Sequence, residues 1–526
     1  MNAALDLLAV VMVIVATVLI GAYGLRVSRT TSDFFVASRT VRPVWNASAI
    51  SGEYLSAGTF LGLSGLVLLD GVRGFWFPIG YAAGYLLVLV FVAAPLRRSG
   101  AYTIPDFIEA RLESPLARRV TSVAVLIIGW LYIVPQLHGA GITLDVVADV
   151  PPWVGGVVVA VLVAALVAAG GMRSITFVQG FQYWLKLTAL LVPVVAIVFA
   201  LRGAPTEIEP AVAFPAEAGP SGIDAYATGS LLLALLLGTM GLPHVLVRFY
   251  TSPDGASARQ TTVLVVVMVS AFYAVSSAMG LLSRIAAPDL AHPGAADTVV
   301  LVLPSRIFPG LVGELLTALI VAGAFAAFLA TSAGLVVALA GVVSQDVFGG
   351  TVRSFRVSAL LCTAVPLVIA LVTAPAGLGS SVGAVFVFAA SCLSPIVLLG
   401  VWWRRLTARG AVAGMVVGGG ACALSLLVYT AVGGVGLAAP YLAEPAAWTI
   451  PLATVVTVSS RSPTARVRRR APIATSRGCT CRSAGRAGVG DTGPRSVAGP
   501  TRAVAPGSAT PAPAAGPGHP PGRLEG

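Results

Sequence analysis

Residues 50–62 read ISGEYLSAGTFLG and lie within a longer apolar stretch at 44–69. The run places Glu53, with several glycines and hydroxyl side chains, among residues that are otherwise apolar. Glycine weakens a regular helix, and an interrupted helix is tolerated inside a membrane only where it is buried or lines a cavity. The freed carbonyl groups of such a break can bind a cation, and its half-helix N-terminus can face an anion. Close helix packing through small residues is the alternative interpretation.

The composition of the whole chain places this stretch in a lipid bilayer. Of the 526 residues, 57% are hydrophobic and 10% are charged, and the mean hydropathy is +0.91. Such a chain cannot cover its apolar surface with polar side chains, which excludes a water-soluble enzyme. The sequence contains no nucleotide-binding, metal-binding or nucleophile motif. We therefore expect that the protein is not an enzyme and has no catalytic residues. We also expect no cofactor, and no metal ion beyond a transported cation.

Thirteen apolar stretches are candidates for membrane-spanning helices. They lie at 3–25, 44–69, 73–95, 120–148, 152–171, 176–201, 226–247, 261–284, 309–344, 356–374, 380–402, 411–432 and 446–458. The last is shorter than the ~20 residues that a spanning helix needs. We interpret the first as a retained helix and not as a signal peptide, because Asp6 precedes its apolar run and Arg26 and Arg29 follow it.

The charges of the loops predict the orientation of the chain. With the N-terminus outside, the inner loops between these stretches contain seventeen arginines and the outer loops contain four. Cytoplasmic loops carry the excess of Lys and Arg in membrane proteins. The sequence therefore predicts a multi-pass protein of the cytoplasmic membrane, with its N-terminus outside and its C-terminal tail inside.

Changes in composition also divide the chain into segments. We predict a first helix with a cytoplasmic loop (1–43), inverted repeat one (44–201), an acidic external loop (202–225), inverted repeat two (226–403), C-terminal helices (404–458) and a disordered basic tail (459–526). The tail cannot bury a core, and a reading-frame shift is one hypothesis for its abrupt start. Its arginines lack interleaved aromatic residues, so no nucleic-acid partner is expected. The oligomeric state is left open.

A second polar interruption, GTMGLPH at 238–244, falls five helices after the first. Pro243 removes a backbone donor and kinks the helix. Two interrupted helices at matching places in two halves point to a transporter built from inverted repeats. His244 and Arg248 follow the break, and either could compensate an anion. For Arg248, however, an anchoring role at the membrane interface is the favoured interpretation.

Other polar residues within the apolar stretches are weaker candidates. Ala327, Ala330 and Thr331 share one face of the ninth stretch, where a carbonyl and a hydroxyl group could bind a hard cation. The remaining candidates are expected to form hydrogen bonds between helices or, for the lysine, to pair or reach towards an interface: Gln136, His138, Gln179, Gln182 and Lys186.

Five stretches together carry a resemblance to a known family. They are ISGEYLSAGTFLG at 50–62, GAYTIPD at 100–106, GTMGLPHVLVR at 238–248, VSQD at 343–346, and FAASCLSP at 388–395 followed by WWRRLTARG at 402–410. The chain resembles the solute:sodium symporter family, and within it the cation–acetate and monocarboxylate branch. The resemblance extends from about residue 30 to 458.

The resemblance implies an all-α polytopic membrane protein with the broken-helix transporter fold. Five-plus-five inverted repeats would make up most of its about 13 transmembrane helices, the last of which is incomplete. It also implies a sodium site with the cation-binding residues Gly52, Leu55, Ala327, Ala330, Thr331 and Ser332. Ala330 lacks the hydroxyl group that sugar and proline transporters of the family have there. A proton is therefore the alternative coupling ion, with Glu53 as its carrier.

The implied substrate cavity lies between the second, fourth, seventh and eleventh helices. Its predicted substrate-binding residues are Thr59, Phe60, Gln136, Thr239, Met240, Gly241 and Ser391. The first hypothesis is a secondary active symporter that imports a small monocarboxylate such as acetate with Na⁺ or H⁺; its partners would be this organic anion and the lipid bilayer. One alternative is a symporter for another small solute, such as an amino acid. Another is a transport-shaped solute sensor without catalytic activity.

Overall fold

The computed structural model describes residues 2–27, 37, 41–202, 222–375, 377–433, 435–436 and 438–460. Every regular element among these residues is helical. The predicted external loop at 202–225 and the predicted tail at 459–526 fall almost entirely outside the described residues. The predicted division of the chain into segments therefore stays a prediction.

The helices alternate between long spans and short segments that flank breaks. In chain order they are α1 (Ala3–Val27), α2 (Pro43–Tyr54), α3 (Leu63–Asp70), α4 (Trp76–Leu87), α5 (Ala93–Ser99), α6 (Ile104–Leu112), α7 (Pro115–Ala148), α8 (Pro152–Leu201), α9 (Gly222–Gly241), α10 (Pro243–Val247), α11 (Gly255–Ala286), α12 (Val299–Ile307), α13 (Leu311–Val347), α14 (Val352–Val372), α15 (Leu378–Cys392), α16 (Ser394–Trp402), α17 (Ala408–Ala431), α18 (Ala439–Ala443) and α19 (Ala446–Ser459).

The stretch at 50–62 is broken, as the sequence predicts. The α2 helix ends at Tyr54, Leu55 is extended (φ −75°, ψ 90°), and the chain re-enters a helix through a π-helical turn at Gly58–Gly62. In a continuous helix the Leu55 carbonyl would accept from the N–H group of Thr59. That N–H group donates to the Ser56 carbonyl instead, at 3.1 Å. The break therefore frees backbone carbonyl groups inside the protein.

The second predicted interruption is also present. The α9 helix ends at Gly241, and Leu242 is extended (φ −80°, ψ 116°) before α10 begins at Pro243. A residue that precedes proline is disfavoured in the helical region by contact with the proline ring. The dipeptide Leu242–Pro243 therefore fixes the position of this break.

Ten helical runs among the described residues are long and apolar enough to cross a membrane. Two of them extend over parts of two predicted stretches: one run covers 73–95 with the second half of 44–69, and the other covers 152–171 and 176–201. Gly58–Ser99 includes a 3-10 turn at Gly71–Phe75, and α8 bends sharply at Gly171 (φ 59°, ψ −160°), where glycine is the residue that adopts such angles freely. The last predicted stretch is the 14-residue α19, shorter than a full span.

The centre of the protein is α13. All its residues from 320 to 342 are buried, because α1, α2, α7, α8 and α14 pack around it. In contrast, α1 exposes large apolar side chains such as Met12 and Leu19, which are 63% and 65% exposed. Exposed apolar faces of this kind are suited to contact with lipid. The chain is a multi-pass membrane protein with a buried central helix beside the break of α2.

Candidate functional site

The break after α2 holds the ammonium group of Lys186, which comes from α8. Lys186 Nζ donates a hydrogen bond to the Leu55 carbonyl at 2.7 Å and a second to the Gly52 carbonyl. The lysine side chain is fully buried. These two carbonyl groups are the ones that the sequence predicts to bind a cation. The structure brings them together, and a charged side chain of the protein lies against both.

A buried ion pair joins the two broken helices. Arg248, in the 3-10 turn after α10, donates from Nε to Oε2 of Glu53 at 2.6 Å, and both side chains are at most 2% exposed. The same guanidinium group donates from Nη1 to the Thr176 hydroxyl group at 2.9 Å and from Nη2 to the Gln179 side-chain oxygen. Arg248 is thus not an interface anchor, contrary to the interpretation that the sequence favours. The predicted role of Glu53 as proton carrier stays a prediction.

The central helix α13 bonds directly to the same region. Thr331 donates from Oγ1 to the Glu53 carbonyl at 2.6 Å, and the Gln179 side chain donates to the Ala330 carbonyl at 2.7 Å. Ser332 is buried, and its hydroxyl group has no hydrogen-bond partner among the described residues. Ala327 is buried one turn earlier in the same helix. The predicted cation-binding residues of α2 and α13 therefore meet in one place.

Other predicted residues stabilise the second half of the break. The Gln136 side chain, from α7, accepts a hydrogen bond from the Ala57 N–H group at 2.8 Å. Thr59 donates from Oγ1 to the Ser56 carbonyl at 3.0 Å, while its own carbonyl accepts from the Ser276 hydroxyl group at 3.1 Å. Gln136 and Thr59 thus satisfy backbone groups that an unwound segment leaves without helical partners.

The break after α9 faces the break after α2. The hydroxyl groups of Thr239 and Tyr54 lie 3.2 Å apart in a hydrogen bond, and Met240, the residue after Thr239, is buried. Gly241 lies so close to α15 that a Cβ atom there would be 2.5 Å from the Ala389 carbonyl oxygen. The last turns of α2 and α9, which precede the two breaks, are therefore joined by a side-chain hydrogen bond, and α9 also packs closely against α15.

Aromatic side chains surround this contact, and of these the sequence analysis singles out only His244. The ring of Tyr54 lies 4.6 Å from that of Tyr85, and the ring of Tyr132 lies 5.2 Å from His244, centroid to centroid. Phe386 of α15 packs against Tyr54 and Tyr132. Among the described residues, the Tyr85 hydroxyl group and both His244 ring nitrogens have no hydrogen-bond partner. We call these five side chains the aromatic cluster.

Two predicted substrate-binding residues lie in other surroundings. The Ser391 hydroxyl group hydrogen-bonds the Thr449 hydroxyl group of α19 at 2.7 Å and donates to the Val387 carbonyl of its own helix. Phe60 packs its ring 6.1 Å from that of Phe272 on α11. Among the described residues, neither side chain forms a ring contact or a hydrogen bond with the aromatic cluster.

Comparison with known proteins identifies the family. Residues 34–418 match the sodium:solute symporter family. The chain belongs to the sodium:solute symporter family. This membership agrees with the resemblance that the five sequence stretches carry. It places the chain among transporters.

Two relatives cover most of this symporter. It is 31% identical over 423 residues to a protein of Bacillus subtilis (strain 168) named uncharacterized symporter YwcA, covering 76% of this chain and 82% of that protein. It is also 31% identical over 436 residues to a monocarboxylic acid transporter of Corynebacterium glutamicum, covering 75% of this chain and 78% of that protein.

A solved structure shares the fold. The substrate-bound, outward-open structure of a Na⁺-coupled sialic acid symporter matches with a TM-score of 0.69 at 14% sequence identity, over 86% of this chain and 96% of the other. At this identity the likeness concerns the fold alone. The symporter therefore has the broken-helix transporter fold with five-plus-five inverted repeats that the sequence predicts.

Proposed function

We propose that this symporter imports a small monocarboxylate such as acetate across the cytoplasmic membrane, driven by an inward gradient of Na⁺ or H⁺. The relative from Corynebacterium glutamicum carries the name monocarboxylic acid transporter and aligns with three quarters of the chain. The family itself supports cation-driven symport.

The observation that carries this proposal is the contact between the two breaks inside the aromatic cluster. The hydrogen bond between Tyr54 and Thr239 joins the ends of α2 and α9, each of which immediately precedes a break. Beside it, Tyr85 and His244 present buried polar atoms without a partner among the described residues. Buried polar groups normally have hydrogen-bond partners, so these atoms are candidates to bind a solute.

The chemistry of the cluster suits a short acid. Phenyl and thioether side chains such as Phe386 and Met240 offer an apolar wall for a methyl or ethyl group, and hydroxyl and imidazole groups can donate to a carboxylate. Arg248 is already paired with Glu53. The proposed site therefore recognises the anion by neutral donors, with Thr239, Met240 and Gly241 contributed by the break itself.

A transport assay on the purified full chain tests the proposal. Proteoliposomes would take up labelled acetate under an inward Na⁺ gradient, an inward H⁺ gradient or neither, with the two ions varied independently. We expect uptake under at least one gradient and competition by propionate and pyruvate. Tyr85→Phe, which removes one unpartnered hydroxyl group, should raise the KM for acetate several-fold.

The same assay separates the alternatives. Competition by an amino acid, without competition by short acids, would favour a symporter for another small solute. Binding of a short acid without any transport would favour the transport-shaped sensor. Uptake of no short acid under any gradient would overturn the proposed substrate class.

A further inference from the structure

The ammonium group of Lys186 lies where this family's fold would be expected to hold a transported cation. It donates to both carbonyl groups that the sequence analysis assigns to a cation, Gly52 and Leu55, the latter at 2.7 Å. An ammonium group carries three donors and one positive charge and is an alternative to a metal ion as a partner for backbone carbonyl groups. Lysine, unlike an ion, is covalently attached to α8.

The other oxygen atoms predicted for the cation are also engaged within the protein. The Ala330 carbonyl accepts a hydrogen bond from the Gln179 side chain, and the Thr331 hydroxyl group donates a hydrogen bond to the Glu53 carbonyl. At position 330 alanine offers no side-chain oxygen. Hard cations require several oxygen ligands, and the described geometry commits four of the six predicted residues to contacts of their own.

A second cation beside Lys186 would be strongly repelled. Nζ lies within hydrogen-bond distance of both carbonyl groups, so an ion bound to the same oxygens would be only a few ångströms from it, where like charges repel strongly in a buried environment. The acidic group facing Lys186 from α2 is Glu53. Its carboxylate is paired with Arg248, so this carboxylate already has a cationic partner.

We propose that Lys186 is a built-in cation that replaces Na⁺ between α2, α8 and α13, so that this position binds no sodium ion. The inference rests on the proposed function, since it concerns the coupling ion of the same transport cycle. The tethered ammonium group would hold the broken α2 against α8 throughout the transport cycle. A Na⁺ gradient would then not drive uptake through this position, whereas a proton gradient could still do so.

Binding of Na⁺ is tested on the purified full chain without any substrate. A ligand that binds the folded state raises its unfolding temperature. In the unaltered chain, exchanging 100 mM choline chloride for 100 mM NaCl should leave Tm unchanged. In Lys186→Ala, where the two carbonyl groups are released, the same exchange should raise Tm by about 2 °C or more.

Two further variants control this measurement. Gln182→Ala, one turn earlier on α8, removes a buried side chain that donates to Thr17 at 3.1 Å without contacting the α2 carbonyl groups; it should be as insensitive to Na⁺ as the unaltered chain. Lys186→Met keeps the volume of the side chain without its charge, and should respond to Na⁺ if Lys186→Ala fails to fold.

Each outcome decides the inference. A Na⁺-dependent rise of Tm in the unaltered chain overturns it, and so does a folded Lys186→Ala or Lys186→Met variant that remains insensitive to Na⁺. If neither variant folds, the unaltered chain decides: equal acetate uptake in Na⁺ and in choline at fixed pH supports the inference, and a requirement for Na⁺ overturns it. A failure of the proposed substrate would appear separately, as absence of acetate uptake together with the expected Tm pattern.

Discussion

At the level of single residues, the charges inside this protein are held by defined partners. Ionised groups within a membrane are costly and concentrate at functional positions. Here Glu53 and Arg248 form a buried pair, and Lys186 donates to two backbone carbonyl groups. Arg248 also bonds Gln179. One network thus links the break of α2, the turn after α10 and the middle of α8.

The buried pair predicts strong coupling between its partners. Glu53→Gln leaves the Arg248 charge without its counter-ion and should lower the free energy of unfolding by about 3–5 kcal/mol. Arg248→Gln should cost a similar amount, and the double variant much less than the sum of the two. Thermal unfolding of the purified protein measures all three.

An exposed pair provides the control for this cycle. Arg306 and Asp289 lie 2.7 Å apart with exposed fractions of 36% and 60%. Because solvent screens such pairs, Asp289→Asn should leave Tm unchanged. Fully additive effects of the Glu53 and Arg248 substitutions would contradict the buried pair.

The hydroxyl group of Thr331 supports a second prediction. It donates at 2.6 Å to the carbonyl of Glu53, so Thr331→Val should leave that contact unmade, lower stability by about 1 kcal/mol and slow uptake. Thr331→Ser keeps the hydroxyl group and should retain both properties. Equal unfolding temperatures for the two variants would show that the bond has no part in holding α13 to the break.

At the level of helices, the two breaks could be predicted and their partners could not. The density of glycines and hydroxyls at 50–62 and the Leu242–Pro243 dipeptide are local signals, and the structure is broken at both. The sequence around Lys186, in contrast, contains no local signal that predicts its partners. Its contact with Leu55 depends on how α8 packs against α2, which is a tertiary property. A pattern was present nonetheless: Thr176, Gln179 and Lys186 recur at spacings of three and seven and so lie on one face of α8.

Because α2 and α8 approach closely at Gly52, adding one methyl group there should destabilise the protein. A Cβ atom at Gly52 would lie 2.2 Å from the Gln179 carbonyl oxygen, so Gly52→Ala must shift backbone, and should destabilise the protein by about 1–3 kcal/mol and abolish uptake. Gly229 in α9 has nothing within 4 Å of the same position. Gly229→Ala should be neutral or stabilising by up to about 1 kcal/mol. Similar unfolding temperatures for both variants would contradict the close approach.

At the level of the whole molecule, composition and the lengths of the apolar stretches were sufficient to predict a multi-pass membrane protein, and the family resemblance supplied the broken-helix fold. Thirteen predicted stretches correspond to ten long helical runs among the described residues and to the short α19, because two of the runs include a turn, at Gly71–Phe75 and at Gly171, between neighbouring stretches. The aromatic cluster could not be predicted in this way. Its members come from α2, α4, α7, α10 and α15, and a tyrosine in an apolar helix gives no indication of which others it will meet.

The asymmetry of loop arginines predicts the orientation. With tail cysteines Cys479 and Cys481 replaced by serine, a cysteine introduced by Arg405→Cys should react with an impermeant maleimide only from the cytoplasmic side. Arg306→Cys should react only from outside. The described native cysteines Cys362, Cys392 and Cys422 are buried and should give little background. Reversed labelling would contradict the predicted topology.

Concentrative uptake is the most direct test of the central claim, that two broken helices form a carrier for a short acid coupled to a cation. Proteoliposomes containing the full chain would be given an inward proton gradient and labelled acetate, with an empty-liposome control for passive entry of the neutral acid. The account predicts accumulation above the control level that collapses when an uncoupler dissipates the gradient and is lost in Gly52→Ala. Acetate levels equal to those of empty liposomes under both proton and sodium gradients would contradict it.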